Sequence, residues 1–318
     1  MLAIPEVVLS SGWKIPILGF GTYASPRAEP ETVKLAVLEA IKLGYRHFDT
    51  AVPYQTEQPL GEAIAESLNL GLVRSRHDLF ITSKLWCSDA HRQHVIPALN
   101  KSLKNLRMEY VDLYLVHWPV SSKPGTYDYP IKKEDLVAMD FESVWAEMEE
   151  CQRLGLTRSI GVSNFSCKKL SLILEKAKIP PAVNQVEMNP FWQQRKLLEF
   201  CRARGIILSA YAPLRTPRSS NNNRLTECNI IQEISEKKGK TLAQVCLRWI
   251  YEQGACILVK SFNKERMSEN IDIFNWELSE EENKRLNEIP QTRGFLGEDF
   301  ISTNGPIRAT EELWDGEL

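Results

Sequence analysis

Arg46-His47-Phe48-Asp49, Leu79-Phe80-Ile81-Thr82-Ser83-Lys84 and Val111-Asp112-Leu113-Tyr114-Leu115-Val116-His117 each read as a short buried strand ending in an ionisable side chain. Tyr54 lies one short loop beyond the first of them. Polar groups at the same end of successive parallel strands meet at one mouth of a barrel. The active sites of (β/α)8 barrels are found there. One pattern therefore speaks to fold and chemistry together.

Outward from these runs, apolar stretches of strand length alternate with longer segments of helical period, as in βαβ units. The first strand ends in Leu18-Gly19-Phe20-Gly21-Thr22-Tyr23. The helix expected over 31–43 places Val33, Ala36, Val37, Ala40 and Ile41 on one face, and Gly44 is suited to stop it. Further helices are expected over 58–68, 91–106, 141–154, 195–204, 229–237, 241–252, 264–270 and 279–286. The remaining strands are expected over 157–162, 182–187, 206–211 and 256–259. Ser166 reads as a helix N-cap, and Ser279 with Glu282 as a capping box. Eight strands with connecting helices make an α/β fold, a TIM-type barrel. Residues 7–18 around Ser11-Gly12 form an N-terminal β-hairpin expected to plug its floor. Residues 119–140 read as a long loop. A C-terminal loop tail after Gln291 is expected to drape over the surface.

The length of 318 residues alone would suggest two domains at about 150 residues each. The barrel uses the whole chain, so one domain over 1–318 is expected. A hydrophobic share of 43% and a net charge of −2 describe an ordinary globular chain without a global basic field. Nucleic acid is not an expected partner, and any anion site must be local. No apolar run approaches the roughly 18 residues of a membrane helix. Met1-Leu2-Ala3-Ile4-Pro5-Glu6 lacks the basic and apolar regions of a secretory leader. Seven cysteines without a C-x-x-C pair argue against a disulfide framework or a cysteine-rich zinc site. The expected location is the reduced cytoplasm.

Asp49, Tyr54, Lys84 and His117 suit protonation of an oxygen on which negative charge develops. A tyrosine hydroxyl ordinarily has a pKa of about 10. The Lys84 ammonium is expected to lower it, with Asp49 holding Lys84 charged. His117 offers a ring N–H to a carbonyl. None of the four supplies a hydride, so a cofactor is implied. Singly, each has a plainer reading as packing, a structural ion pair or a strand end. Four at one mouth favour the chemical reading.

Several stretches resemble aldo-keto reductase signatures. They are Gly19-Phe20-Gly21-Thr22, Phe48-Asp49-Thr50-Ala51-Val52-Pro53-Tyr54-Gln55-Thr56-Glu57, Ile81-Thr82-Ser83-Lys84-Leu85-Trp86 and Ile160-Gly161-Val162-Ser163-Asn164-Phe165. Asn184-Gln185-Val186-Glu187, Ala210-Tyr211-Ala212-Pro213-Leu214 and the run from Val259 to Asn270 continue the likeness, in order and over nearly the whole chain. The resemblance implies Tyr54 as general acid, supported by Lys84 and Asp49, with His117 orienting the carbonyl. It implies NADPH/NADP+ as cofactor. Thr22 and Asp49 would line its nicotinamide end, Ser163, Asn164 and Gln185 would hold the carboxamide, and Tyr211 would stack on the ring. Lys260, Ser261 and Arg266 would take the 2′-phosphate, Glu269 and Asn270 the adenine, and Leu214 and Phe262 complete the cofactor set. A lysine and an arginine near a helix start suit a phosphate dianion, which favours NADPH over NADH. No Rossmann G-x-G-x-x-G is present, and this binding mode needs none. Within the family the likeness is to plant reductases, which divide by substrate among sugar acids, alkaloid ketones, polyketides and keto-acid imines.

The expected substrate pocket is formed by Tyr23, Trp86, Trp118 and His117. Its rim adds the 119–140 loop, Phe191, Trp192 and the tail around residues 295–300. Aromatics with few charges suit a flat or cyclic organic carbonyl or imine. Arg293 and Arg308 read as solvated surface charges. The 215–223 segment has arginines and asparagines where plant relatives carry glycines, which suggests altered loop closure over the cofactor. No metal is expected, because only His117 and Asp49 qualify as ligands and Lys84 lies between them. A monomer with no membrane partner is the expected state. The competing reading is a cofactor-binding, redox-sensing subunit with little turnover.

Overall fold

The computed structural model describes residues 4–125, 127, 129–214 and 225–318. The 215–223 segment, on which altered closure was expected, lies outside the described residues. The chain opens with β1 (Glu6–Val8) and β2 (Lys14–Pro16), an antiparallel hairpin. The repeating part begins with β3 (Leu18–Gly21), α1 (Pro30–Leu43), β4 (His47–Asp49), α2 (Glu57–Asn69), β5 (Phe80–Leu85), α3 (Val95–Leu106) and β6 (Val111–Val116). A two-stranded excursion, β7 (Ser121–Ser122) with β8 (Leu136–Val137), leads to α4 (Phe141–Arg153). Then follow β9 (Thr157–Ser163), α5 (Cys167–Leu174), β10 (Val183–Glu187), α6 (Arg195–Arg202) and β11 (Ile207–Tyr211). The last turns are α7 (Asn229–Lys238), α8 (Leu242–Glu252), β12 (Cys256–Val259), α9 (Lys264–Ile271), α10 (Glu280–Asn287) and α11 (Thr310–Trp314).

Strands β3, β4, β5, β6, β9, β10, β11 and β12 close into one parallel barrel, with β12 pairing back to β3. Parallel strands covered on both faces are buried along their length, as β5, β6, β9 and β10 are almost end to end, and their polar residues gather where the site forms. The helices are amphipathic partners to that sheet. In α1, Val33, Ala36, Val37, Ala40 and Ile41 are buried, and Gly44 ends the helix at φ 105°, a conformation that glycine adopts without a Cβ clash. The Ser166 cap and the Ser279–Glu282 box form as expected, and a second box joins Thr241 to Gln244.

The hairpin plugs the floor. Leu9 and Ile15 are buried against Phe80, Leu113, Val183 and Cys256, at the N-terminal halves of the strands, with Leu115 packed above them. Ser11 Oγ reaches Ser159 Oγ at 2.7 Å.

Four expectations need correction. The 91–106 helix starts only at Val95, because His91 and His94 sit in turns and His91 Nε2 lies 2.8 Å from the Ser122 carbonyl. The 119–140 loop contains the β7–β8 pair. The tail is more than draped over the surface: between exposed stretches it is anchored into the barrel mouth. Phe300, Leu313 and Trp314 are buried, and they pack with Trp86 and Trp118 in an apolar cluster at the mouth. Arg308 is exposed as expected, but Arg293 is buried between the rings of Trp192 and Trp314. No helix among the described residues is long and apolar enough to cross a membrane.

Candidate active site

Strand register brings the expected residues to one end of the barrel. Gly21 pairs with Asp49, Asp49 with Thr82, Lys84 with Leu115, and Gln185 with Ser163. Lys84 and Asp49 therefore point inward from neighbouring strands. Lys84 Nζ donates to Asp49 Oδ1 at 2.6 Å and to the Thr50 carbonyl at 2.9 Å. Gln185 Nε2 donates to the other Asp49 oxygen at 2.8 Å. Asp49 is thus committed on both sides, and Lys84 is fully buried. Burial lowers the Lys84 pKa, and the Asp49 charge opposes that fall.

Tyr54 sits in a single 3-10 turn, Val52–Tyr54, beyond β4. Its hydroxyl lies 3.3 Å from His117 Nε2, and Lys84 Nζ is 4.9 Å from its ring centre. Burial first, and Asp49 second, hold the Tyr54 hydroxyl well above its ordinary pKa. This reverses the expected direction. Desolvation and a carboxylate set the direction, so Tyr54 keeps its proton at neutral pH. Burial, aided by Lys84, holds His117 well below its usual range, so the imidazole is neutral.

The groups expected around a nicotinamide also converge. Asn164 occupies the left-handed region at φ 65°, which asparagine tolerates better than most residues. Its Nδ2 donates to the His117 carbonyl and to Ser163 Oγ, and its Oδ1 accepts from the Tyr211 hydroxyl at 2.8 Å. Ser163 Oγ donates to the Gln185 carbonyl. Thr22 is buried, and its hydroxyl bonds the Asp49 carbonyl and Thr56 Oγ1. Leu214 and Phe262 pack half-buried against the main core.

Beyond β12, Asn263 caps α9 by accepting from the Arg266 N–H. Lys260, Arg266 and Glu269 are exposed, Ser261 is half-buried and Asn270 is buried. Lys260 and Arg266 make no ion pair among the described residues, unlike Lys264, which reaches Glu39 at 2.8 Å. Lys260, whose ammonium lies over the Phe262 ring at 4.7 Å, and Arg266, two cations without a carboxylate partner among the described residues at a capped helix N-terminus, fit a phosphate dianion.

The side chains expected to line a substrate pocket gather as an aromatic cluster at the mouth. Tyr23 and Tyr54 rings are 5.0 Å apart, and Trp86 packs edge-on to His117 at 5.2 Å. Trp118 stacks on Phe300 at 4.2 Å and meets Trp314 at 6.0 Å. Reading the sequence missed Trp314 as a wall residue, and it missed the clamp that holds the tail. Glu187 accepts from the Gly294 and Phe295 N–H groups, and Arg293 donates to the Glu317 carbonyl. A carboxylate at a strand end facing an aperiodic tail was the available signal.

Residues 17–291 match the aldo/keto reductase family. Over 319 residues the chain is 57% identical to the 7-acetyl-epi-neemfruitin B aldo-keto reductase of Melia azedarach, covering 100% of this chain and 99% of that one. It is 57% identical to deoxymugineic acid synthase 1-A of Triticum aestivum, covering 96% and 97%. Among solved structures, the Schistosoma japonicum aldose reductase superposes with a TM-score of 0.86 at 36% identity, covering 93% and 96%. A Bombyx mori aldo-keto reductase in complex with NADP gives 0.82 at 35%, covering 92% and 95%. With that barrel, that mouth and these relatives, the chain belongs to the aldo/keto reductase family.

Proposed function

We propose that this family member, an NADPH-dependent oxidoreductase, reduces the carbonyl of a small cyclic organic metabolite with Tyr54 as general acid. The observation that carries the reading is the Tyr54 hydroxyl, proton-bearing and 3.3 Å from a neutral His117, above a Lys84–Asp49 pair. With its proton on Nε2, His117 joins Tyr54 as a second donor to one oxygen. The carbonyl is thereby oriented and polarised, and Tyr54 hands its proton to the oxygen as charge develops there. Lys84 stabilises the phenolate left behind, and Asp49 keeps Lys84 in place. When bound, the nicotinamide supplies the hydride to the carbonyl carbon. Tyr211 offers the ring platform, Ser163, Asn164 and Gln185 the amide and hydroxyl partners, and Lys260, Ser261 and Arg266 the phosphate contacts.

The substrate class rests on the walls. Trp86 packs on His117, next to the acid, and joins Tyr129, Phe300 and Trp118 in one aromatic cluster, which suits a ring system better than a charged chain. The names of the relatives, one referring to 7-acetyl-epi-neemfruitin B and one to deoxymugineic acid, also support a small organic plant metabolite. A cyclic imine would be reduced by the same hydride with less need of Tyr54. A cytoplasmic monomer is the working state.

The test follows NADPH absorbance across aromatic aldehydes, cyclic ketones and cyclic imines. Turnover of cyclic carbonyls supports the reading. Tight NADPH binding without turnover of any of them overturns it in favour of a cofactor-binding subunit.

A further inference from the structure

Tyr54 is carried by a short turn closed by the Tyr54 and Gln55 N–H groups, which donate to the Ala51 and Val52 carbonyls, with Arg27 donating to the Gln55 side chain. Val52, Pro53 and Tyr54 are each only half-buried, and Gln55 sits in the left-handed region at φ 55°. The grip comes from the next two residues, both buried. Thr56 Oγ1 lies 2.6 Å from Thr22 Oγ1 and 2.8 Å from Thr50 Oγ1. Its hydroxyl is spent on those two, and it does not cap α2. Glu57 follows. One carboxylate oxygen accepts from Ser83 Oγ at 2.8 Å, and the other from Asn105 Nδ2 at 2.9 Å.

Ser83 immediately precedes Lys84 on β5. Alternation along the strand turns Lys84 into the barrel and Ser83 outward, towards α2 and α3. Glu57 therefore joins the Tyr54 segment to the strand that carries Lys84. Glu57 has two neutral donors and no ion-pair partner among the described residues, although it is 3% exposed. A buried carboxylate held only by neutral groups is costly for stability. The α2 N-terminus offsets part of that cost. After Asp49, Glu57 also favours the charged form of Lys84.

From this geometry we infer that Glu57 is a positioning residue for the reaction, setting the Tyr54 hydroxyl against Lys84 through its ties to Ser83 and Asn105. The inference rests on the reading of Tyr54 as the acid. Small displacements of a reacting group are expensive in rate, up to about a hundredfold for 1 Å.

The test is the single-turnover rate of NADPH oxidation with a saturating aromatic aldehyde, in H2O and in D2O, alongside NADPH affinity by fluorescence. Glu57→Gln should slow the step by about tenfold or more, raise the solvent isotope effect and leave NADPH affinity unchanged. Asn105→Ala removes one tie from α3 without touching the mouth and should act in the same direction; it carries the test if Glu57→Gln does not fold. Glu62→Gln, also on α2 but paired with Arg107 rather than tied to β5, is the control. In a Tyr54→Phe background Glu57→Gln should cost nothing further. A parent-like rate in folded Glu57→Gln and Asn105→Ala overturns the inference. So does a slower rate with an unchanged isotope effect and the same loss on top of Tyr54→Phe, the mark of general destabilisation. If Tyr54→Phe itself keeps the parent rate, the acid assignment has failed and the inference falls with it. That result is distinct from an inactive Tyr54→Phe beside an unaffected Glu57→Gln.

Discussion

Replacing Asp49 by asparagine should expose how the barrel tolerates a fully buried lysine. In the parent protein Lys84 Nζ is 2.6 Å from Asp49 Oδ1, and both side chains are shielded from water. Removing one partner of such a pair leaves an uncompensated charge and typically costs ~3–5 kcal/mol. Unfolding entropy of about 2.1 cal/mol/K per residue gives roughly 0.7 kcal/mol/K for a chain of this length. The expected fall in Tm at pH 7 is therefore about 4–7 °C. The pH dependence has a definite sign. Burial lowers the Lys84 pKa and Asp49 opposes it, so Asp49→Asn drives that pKa lower still. Between the folded and unfolded values the unfolded chain binds the extra proton, and stability then rises with pH. The deficit should be largest at neutral pH and should narrow as pH approaches the ordinary lysine value of about 10.4. Calorimetry of parent and variant from pH 6 to 10 reads this directly. A Tm difference under about 1 °C, or one that widens with pH, would refute the reasoning.

Lys260→Ala or Arg266→Ala should weaken NADPH binding by about 10- to 100-fold, the worth of a charge-assisted contact, and leave NADH affinity unchanged; fluorescence titration with both cofactors checks it. Phe300→Ala removes the ring stacked on Trp118 at 4.2 Å, so KM for a cyclic carbonyl should rise about tenfold while NADPH affinity holds. Gly161→Ala would bring a Cβ within 2.5 Å of the Val183 carbonyl on the neighbouring strand, and urea unfolding should show a loss of about 1–3 kcal/mol.

The barrel was legible because parallel strands leave apolar runs of strand length, and their last residues carry the chemistry. Asp49, Lys84 and His117 were readable from that position alone. What escaped the reading depends on partners far along the chain. The pairs β7–β8 and Trp118–Phe300 have no local period, and α11 is a single short turn of helix held by its contacts. Arg293 looked like a solvated charge because nothing nearby in sequence announces the two tryptophans that enclose it. The direction of the Tyr54 shift failed for a different reason. Sequence names the neighbouring ammonium, but burial, which wins here, is a property of the packed mouth.

The account stands on Tyr54 as the proton donor to the substrate oxygen. The most direct measurement is single-turnover NADPH oxidation with a reactive aromatic aldehyde, parent beside Tyr54→Phe, with NADPH affinity measured on both. The account predicts intact cofactor binding and a hydride-transfer rate lower by at least about a hundredfold. Equal rates in the two proteins would contradict it.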